Sequence, residues 1–205
     1  MRVSFRILTL AAVAAAATSC GDVARAGKSP ALLVINQLTA APTGGPNKGS
    51  QSGTLLSDVI TNITSPTPCT PTAPCPTIFN DVASAVLSLQ MKDPTITPSG
   101  VNAVTIDRVH IQYVRADGHN VPGQDVPYAF DGAATGTVAP TGTLSLGFEI
   151  VRHDAKEESP LVQLINSSNI ITTICYVTFY GHDLAGNEIS VTGSIQIDFG
   201  NFGDF

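Results

Sequence analysis

The sequence is poor in charged residues and contains no tryptophan. Ten lysine and arginine residues stand against sixteen aspartate and glutamate residues, which gives a formal net charge of −6 over 205 residues. A chain with so few cations lacks the basic surface that binds a phosphate backbone, so we expect no nucleic-acid partner. Valine, isoleucine, threonine and glycine are abundant by contrast, and this composition is typical of a β-rich protein rather than a disordered one.

Long apolar runs are also missing, apart from one near the N-terminus. Arg2 and Arg6 precede an uncharged stretch, residues 7–17, which reads ILTLAAVAAAA. As a helix this stretch would rise about 16 Å, roughly half the hydrocarbon core of a bilayer. The cations, the short apolar segment and the small residues after it predict a bacterial export signal at residues 1–19 rather than a permanent transmembrane helix.

The end of this leader reads ATSCGD, residues 17–22, and contains the first of four cysteines. The TSC sequence resembles the end of a lipobox, the pattern at which bacterial lipoproteins are cleaved and acylated. The resemblance implies that Cys20 carries the lipid and becomes the new N-terminus, with residues 20–30 as a tether. The sequence departs from the family pattern at Ala17, where leucine is usual. Cleavage at an ordinary small-residue site after Ala26 is the alternative.

A lipid at Cys20 would also fix the compartment. Acyl chains such as palmitate contribute about 0.8 kcal/mol per buried methylene, so two or three chains give a durable anchor. Gly21 follows the cysteine where an aspartate would signal retention, and by resemblance to the enterobacterial sorting rule this implies the outer membrane. We therefore expect a lipoprotein of the bacterial cell envelope, facing the periplasm or the surface, whose membrane partner is reached through the lipid.

The three other cysteines have separate predicted roles. Cys69 and Cys75 lie in a proline-rich loop in which neither a helix nor a sheet ladder can form. In an oxidising compartment we expect a local disulfide between them. Five intervening residues are too many for a redox CxxC motif, and no second cysteine pair completes a zinc site. Cys175, in the apolar run IITTICYVTFYG, is predicted to be a buried core residue.

Alternating apolar residues predict strands along most of residues 31–205. The pattern is clearest in TLSLGFEIVRH, where every second residue from Leu144 to Ile150 is apolar. Similar patterns cover residues 31–40, 54–61, 80–93, 102–118 and 126–132, and a final hairpin covers 170–199. One helical turn is expected within residues 154–168. This organisation predicts an all-β fold, a single antiparallel β-sandwich with a proline-rich disulfide loop.

The final hairpin carries a family resemblance. Its sequence YVTFYGHDLAGNEISVTGSIQI, residues 176–197, has a strand, a DLAGN turn and a second strand. This pattern resembles the last two strands of bacterial immunoglobulin-like or fibronectin-III-like domains. It departs from antibody-type domains because there is no tryptophan and no inter-sheet cysteine pair. The resemblance implies an immunoglobulin-like domain over residues 31–205, a fold that names no ligand by itself.

Sequence motifs for catalysis are absent. No P-loop, dinucleotide fingerprint or nucleophile elbow occurs, and the histidines show no metal-binding spacing. We therefore predict no catalytic residue, no cofactor and no enzymatic activity. The DLAGN turn is the one calcium candidate, because Asp183, Asn187 and Glu188 offer oxygen ligands, although turn chemistry alone explains the first two. The acidic run DAKEES is interpreted as a solvated loop, with Asp154, Glu157 and Glu158.

Three functions remain open from the sequence. The leading hypothesis is a lipid-anchored binding or structural module of the cell envelope, without catalysis, whose loops at one end contact a protein or glycan partner. The second is an accessory subunit of an envelope complex. The third is an envelope enzyme whose site would be built from scattered residues such as His182, Asp183 and Glu188.

Overall fold

The computed structural model of the chain describes residues 27–45 and 47–204. Within these ranges the strands, in chain order, are β1 Ala31–Ala41, β2 Thr54–Asp58, β3 Thr61–Ile63, β4 Cys75–Thr77, β5 Asp81–Met91, β6 Val104–Val114, β7 Phe130–Val138, β8 Thr143–Val151, β9 Ile171–Asp183 and β10 Glu188–Gly200. A short helix, α1 (His153–Glu157), follows β8, and 3-10 turns cover Gly100–Asn102 and Leu161–Leu164. None of the helices described there is long and apolar enough to cross a membrane.

Two larger sheets pack against each other. One has three strands in the order β1-β5-β8, and the other has five in the order β2-β10-β9-β6-β7 and is curled. Strands β3 and β4 form a small separate hairpin. The prediction of a β-rich fold is confirmed, with one departure from antiparallel pairing, because β2 and β10 run parallel. The chain leaves the three-stranded sheet after β1, and its next strand joins the edge of β10 in the same direction.

The core lies between the two larger sheets and follows the alternation in the sequence. Along β5, Ala83, Ala85 and Leu87 are buried at every second position. Phe148 of β8 meets Phe179 of β9 edge-to-face, with 5.3 Å between the ring centroids. Such a pair contributes about 0.5–1.5 kcal/mol beyond its buried area. The period-two pattern therefore identified the side chains that join the sheets.

One predicted strand is shifted along the chain. The sequence predicts a strand at residues 126–132, whereas β7 begins at Phe130 and continues to Val138. A Cβ atom at Gly136 would lie 2.8 Å from the side chain of Leu144, so a larger residue there requires that leucine to shift. Small residues occupy β7 where it lies close to β8. The sequence of β7 therefore lacks the apolar alternation by which a strand is predicted.

The two packed sheets have two ends with different loops. The N-terminal end comprises residues 27–30, 92–103, 139–142 and 184–187, and the disulfide end comprises residues 59–80, 115–129, 152–170 and 201–204. The predicted Cys69–Cys75 disulfide is present at the disulfide end, with Cα atoms 5.4 Å apart. Cys175 is free and fully buried in β9, as predicted.

Candidate functional site

The predicted lipidation residue, Cys20, lies outside the described residues, so its acylation stays a prediction. Residues 27–30, at the end of the predicted tether, are attached to the N-terminal end of the domain. Lys92 Nζ donates to the carbonyl of Gly27 at 2.9 Å, and the Lys92 backbone N–H donates to the carbonyl of Pro30 at the same distance. Ser29, between them, is only 2% exposed. The last residues of the predicted tether are therefore bonded to the domain.

The DLAGN turn is closed by the carboxylate of Asp183. Its Oδ1 accepts hydrogen bonds from the backbone N–H groups of Ala185 and Asn187, both at 2.9 Å, and its Oδ2 accepts one from the side-chain amide of Asn187 at 2.9 Å. Gly186 takes a φ of +77°, a conformation that glycine adopts without steric cost. The turn therefore forms from contacts within four residues of Asp183.

These contacts also bear on the calcium candidate. Burial of Asp183 raises its pKa, but the hydrogen bonds from Asn187, Ser29 and Ala185 outweigh burial and leave the pKa below its ordinary 3.8. Both carboxylate oxygens already accept N–H donors, and a cation would have to displace them. Glu188 lies exposed at the start of β10. The sequence predicts no metal site, and calcium at Asp183, Asn187 and Glu188 stays an untested alternative to the turn chemistry seen here.

A cleft of about 820 Å³ opens beside this turn. Its wall includes His182 and Glu188, which are paired across β9 and β10. His182 Nδ1 lies 2.9 Å from Asp107 Oδ2, and the guanidinium of Arg108 stacks 4.1 Å above the ring of Tyr180. The cleft thus gathers two acids, a histidine, an arginine and an aromatic ring at the N-terminal end.

The charges around this cleft are largely paired with one another. Arg108 donates to Asp131 Oδ1 at 2.8 Å, and His110 Nδ1 lies 3.0 Å from the same oxygen. The hydrogen bond with His110 is the largest effect on Asp131 and lowers its pKa; desolvation opposes it, and the contacts with Arg108 lower the pKa further. Asp183 is buried on the opposite face of β9 from the exposed His182. The three residues of the enzyme hypothesis therefore do not converge on one point, although His182 and Glu188 share the cleft.

A buried lysine at the disulfide end is the polar feature that sequence reasoning missed. Lys156 of α1 is buried, and its Nζ lies 2.8 Å from Asp81 Oδ2 at the start of β5. The same Nζ donates to the carbonyl of Asp58 at 2.8 Å. Asp81 also accepts from Ser57 Oγ at 2.7 Å and from the Thr43 N–H at 3.1 Å. A buried ion pair needs such additional bonds, because the protein must replace the lost hydration of both charges.

Asp58, next to this pair, is a second buried carboxylate. Its Oδ2 accepts from Thr61 Oγ1 at 2.9 Å, and its Oδ1 accepts from the Phe202 N–H at 3.1 Å. Burial raises the pKa of Asp58 above its ordinary 3.8, with a smaller contribution from the carboxylate of Asp204, and the hydrogen bonds only partly offset this increase. Two carboxylates and one ammonium group are thus held together at the disulfide end.

The acidic run near Lys156 is exposed as predicted, and most of it belongs to α1, within the segment in which the sequence predicts one helical turn. Asp154 and Glu157 lie on the outer side of α1, and His153 Nδ1 is 3.4 Å from Asp154 and 3.9 Å from Glu157. All three side chains are exposed. The sequence signal for the buried lysine is faint: Lys156 is the last cation in the chain, and its neighbour Ala155 is the apolar residue of the run.

The chain was also compared with models of protein families, with curated proteins and with solved structures, and none of them matches it.

Proposed function

We propose that the chain is a lipid-anchored module of the bacterial cell envelope, with an immunoglobulin-like domain that binds a protein or glycan partner and has no catalytic activity. The observation that carries this proposal is the strand order of the two larger sheets. The export signal and the lipobox-like sequence at Cys20 supply the anchor in this proposal.

The strand order resembles that of immunoglobulin-like domains of the variable type. In those domains one sheet holds strands A, B, E and D, and the other holds strands G, F, C, C′ and C″. Here β1, β5 and β8 correspond to A, B and E, and β10, β9, β6 and β7 correspond to G, F, C and C′, while D and C″ have no counterpart in these two sheets. The crossing of the chain from β1 to β2, with parallel pairing of β2 to the last strand, fits a first strand that is divided between the sheets. This fold mostly serves binding or spacing, which supports a non-catalytic role.

The proposed anchor would orient the domain. A tether from Cys20 to Pro30 spans at most roughly 35 Å, so the N-terminal end would stay near the membrane. The disulfide end would then point away from it. Both ends expose apolar side chains, Val101 at 67% and Leu184 at 63% near the tether, and Tyr128 at 51% and Ile170 at 56% at the disulfide end. In this orientation the second pair is accessible to a partner.

The anchor is tested by growing the host with an alkyne fatty acid. The wild-type chain should incorporate the label and partition with membranes, and Cys20→Ala should lose both properties. An unlabelled wild-type chain, or labelling that persists in Cys20→Ala, would contradict the anchor.

The orientation is tested with fluorophores at the two ends. Thr141→Cys places a thiol in the β7–β8 turn at the N-terminal end, and Asn169→Cys places one at the disulfide end. Both positions are exposed, whereas Cys175 is buried and Cys69 and Cys75 are bonded to each other. A quencher in the lipid headgroups of reconstituted vesicles should quench the label at position 141 more strongly. Equal quenching, or stronger quenching at position 169, would contradict the orientation.

The binding role is tested by co-purification after crosslinking on intact cells. Wild type, Tyr128→Ser and Leu184→Ser form a matched set, because each variant removes one exposed apolar side chain from a different end. A partner that is lost only in Tyr128→Ser supports binding at the disulfide end. Recovery of the chain in a fixed stoichiometric assembly would favour the accessory-subunit function instead.

A further inference from the structure

The Lys156–Asp81 pair has an arrangement that goes beyond an ordinary ion pair. Both side chains are 1% exposed, and the amine nitrogen is 2.8 Å from a carboxylate oxygen. Three apolar residues that lie close in sequence to the residues of this site are also fully buried: Leu55, Val59 and Leu161. Water is therefore excluded from two groups that are able to form an amide with each other. We propose that Lys156 and Asp81 condense into an intramolecular isopeptide bond.

The contacts of Asp81 suit such a condensation. Its Oδ1 accepts the backbone N–H of Thr43, a fixed donor that can stabilise negative charge on this oxygen in a tetrahedral intermediate. Its Oδ2 accepts both Lys156 Nζ and the hydroxyl of Ser57. The carbonyl of Asp58 accepts another N–H from Nζ and holds the amine in place. The two carboxylate oxygens thus have different surroundings, one suited to remain in the amide and one suited to leave.

The reaction balances without any further reagent. The ammonium group of Lys156 passes one proton to Oδ2 of Asp81, which gives a neutral amine and a neutral carboxylic acid. The nitrogen lone pair attacks Cγ, a C–N bond forms, and negative charge develops on Oδ1 beside the Thr43 N–H. A second proton moves from nitrogen to Oδ2, directly or through the Ser57 hydroxyl, and the Cγ–Oδ2 bond breaks. One water molecule leaves, and neither group is oxidised or reduced.

Burial favours the product as well as the reaction. Two charges in a water-poor interior become one neutral amide, which removes the cost of keeping them desolvated. The amide closes a covalent loop from β5 to α1 and so joins the three-stranded sheet to the segment that precedes β9. Asp58 and Ser57, both in β2, line the same site, so the complete fold is needed before the reacting atoms meet.

The mass of the intact chain tests this proposal directly. After reduction of the disulfide, the wild-type chain should be lighter than its sequence mass by one water molecule, in addition to any change from processing or acylation at the N-terminus. Lys156→Arg should show no such loss, because a guanidinium does not condense in this way. Lys92→Arg makes the same change at an exposed lysine and should keep the loss. Asp81→Asn, if it reacts, should release ammonia instead of water.

Tryptic peptides locate the bond. Trypsin does not cleave after an acylated lysine, so the product should be a branched peptide that joins residues 49–92 to residues 153–205. Cleavage after Lys156, with separate peptides at their full masses, would overturn the proposal. A loss of water that maps to a succinimide at Asp117–Gly118 or Asp131–Gly132 would overturn it as well. The measurement on wild type stands alone, so failure of a variant to fold does not leave the question open.

Discussion

The two ends of the packed sheets bury carboxylates in opposite ways. At the N-terminal end, Asp183 takes its turn-closing hydrogen bonds from Ala185 and Asn187, no more than four residues away. At the disulfide end, Asp81 takes its bonds from Thr43, Ser57 and Lys156, which are 24 to 75 residues away. The turn-closing bonds need only the five residues of the turn, with one further hydrogen bond from Ser29, whereas the bonds of Asp81 exist only in the folded domain. The turn at Asp183 is thus a local structural unit, whereas the contacts of Asp81 require the whole fold.

The largest effect should come from removing the cation at the disulfide end. Lys156→Met leaves Asp81 buried without its charge partner, and we expect the free energy of unfolding to fall by about 3–5 kcal/mol in urea titrations. An isopeptide bond in the wild-type chain would increase this difference. Lys92→Met, at an exposed lysine, should change stability by only about 0.5 kcal/mol. Equal effects of the two variants would show that the buried pair has no special role.

Removing the hydrogen bonds of the DLAGN turn should lower stability by less than removing Lys156. Asp183→Ala leaves the N–H groups of Ala185 and Asn187 without their acceptor, and we expect a loss of about 2 kcal/mol in the same titrations. The variant should keep the fold, since the rest of β9 and β10 remains paired. A loss as large as that of Lys156→Met would contradict the contrast between the two ends.

A smaller effect is expected at the glycine of the turn. Gly186 has a positive φ, and a Cβ atom added to it would have no heavy atom within 4 Å, so Gly186→Ala meets only the backbone cost of the left-handed region. We expect a loss of about 1 kcal/mol, measured by thermal unfolding. Gly181→Ala is the contrasting variant, because its Cβ would overlap the carbonyl of Thr105 and should destabilise the domain much more.

The subtlest difference concerns pH. The pKa of Asp183 is lowered on folding, so its stabilising contribution is present above the ordinary value of 3.8 and is lost as the pH falls through the folded value. The pKa of Asp58 is raised, so its contribution is present below 3.8 and is lost as the pH rises through the folded value. Both pH dependences should appear in the free energies of unfolding of Asp183→Asn and Asp58→Asn, measured by urea titration from about pH 2.5 to pH 6.

The two variants should diverge in opposite directions from wild type. As the pH rises, Asp183→Asn should become less stable relative to wild type, and Asp58→Asn should become more stable relative to it. If the stability difference from wild type changed with pH in the same direction for both variants, the pKa shifts of the two carboxylates would not be opposite in sign.

Features that depend on residues close together in the sequence could be predicted, and features that depend on residues brought together by the fold could not. The DLAGN turn, the Cys69–Cys75 disulfide and the alternation of β5 and β8 depend on neighbouring residues, and the sequence pattern identified each of them. The parallel β2–β10 pair and the burial of Lys156 depend on residues far apart in the chain. The acidic neighbours of Lys156 masked its position, because their exposure is typical of a solvated segment.

The buried Cys175 has a consequence for thiol chemistry. Cys69 and Cys75 are six positions apart, and so short a loop closes quickly. Burial raises the pKa of the Cys175 thiol, which suppresses the thiolate that would attack a disulfide. Once β9 has packed, Cys175 can no longer exchange with the pair. Under oxidising conditions the fold therefore keeps this buried thiol from scrambling the Cys69–Cys75 disulfide.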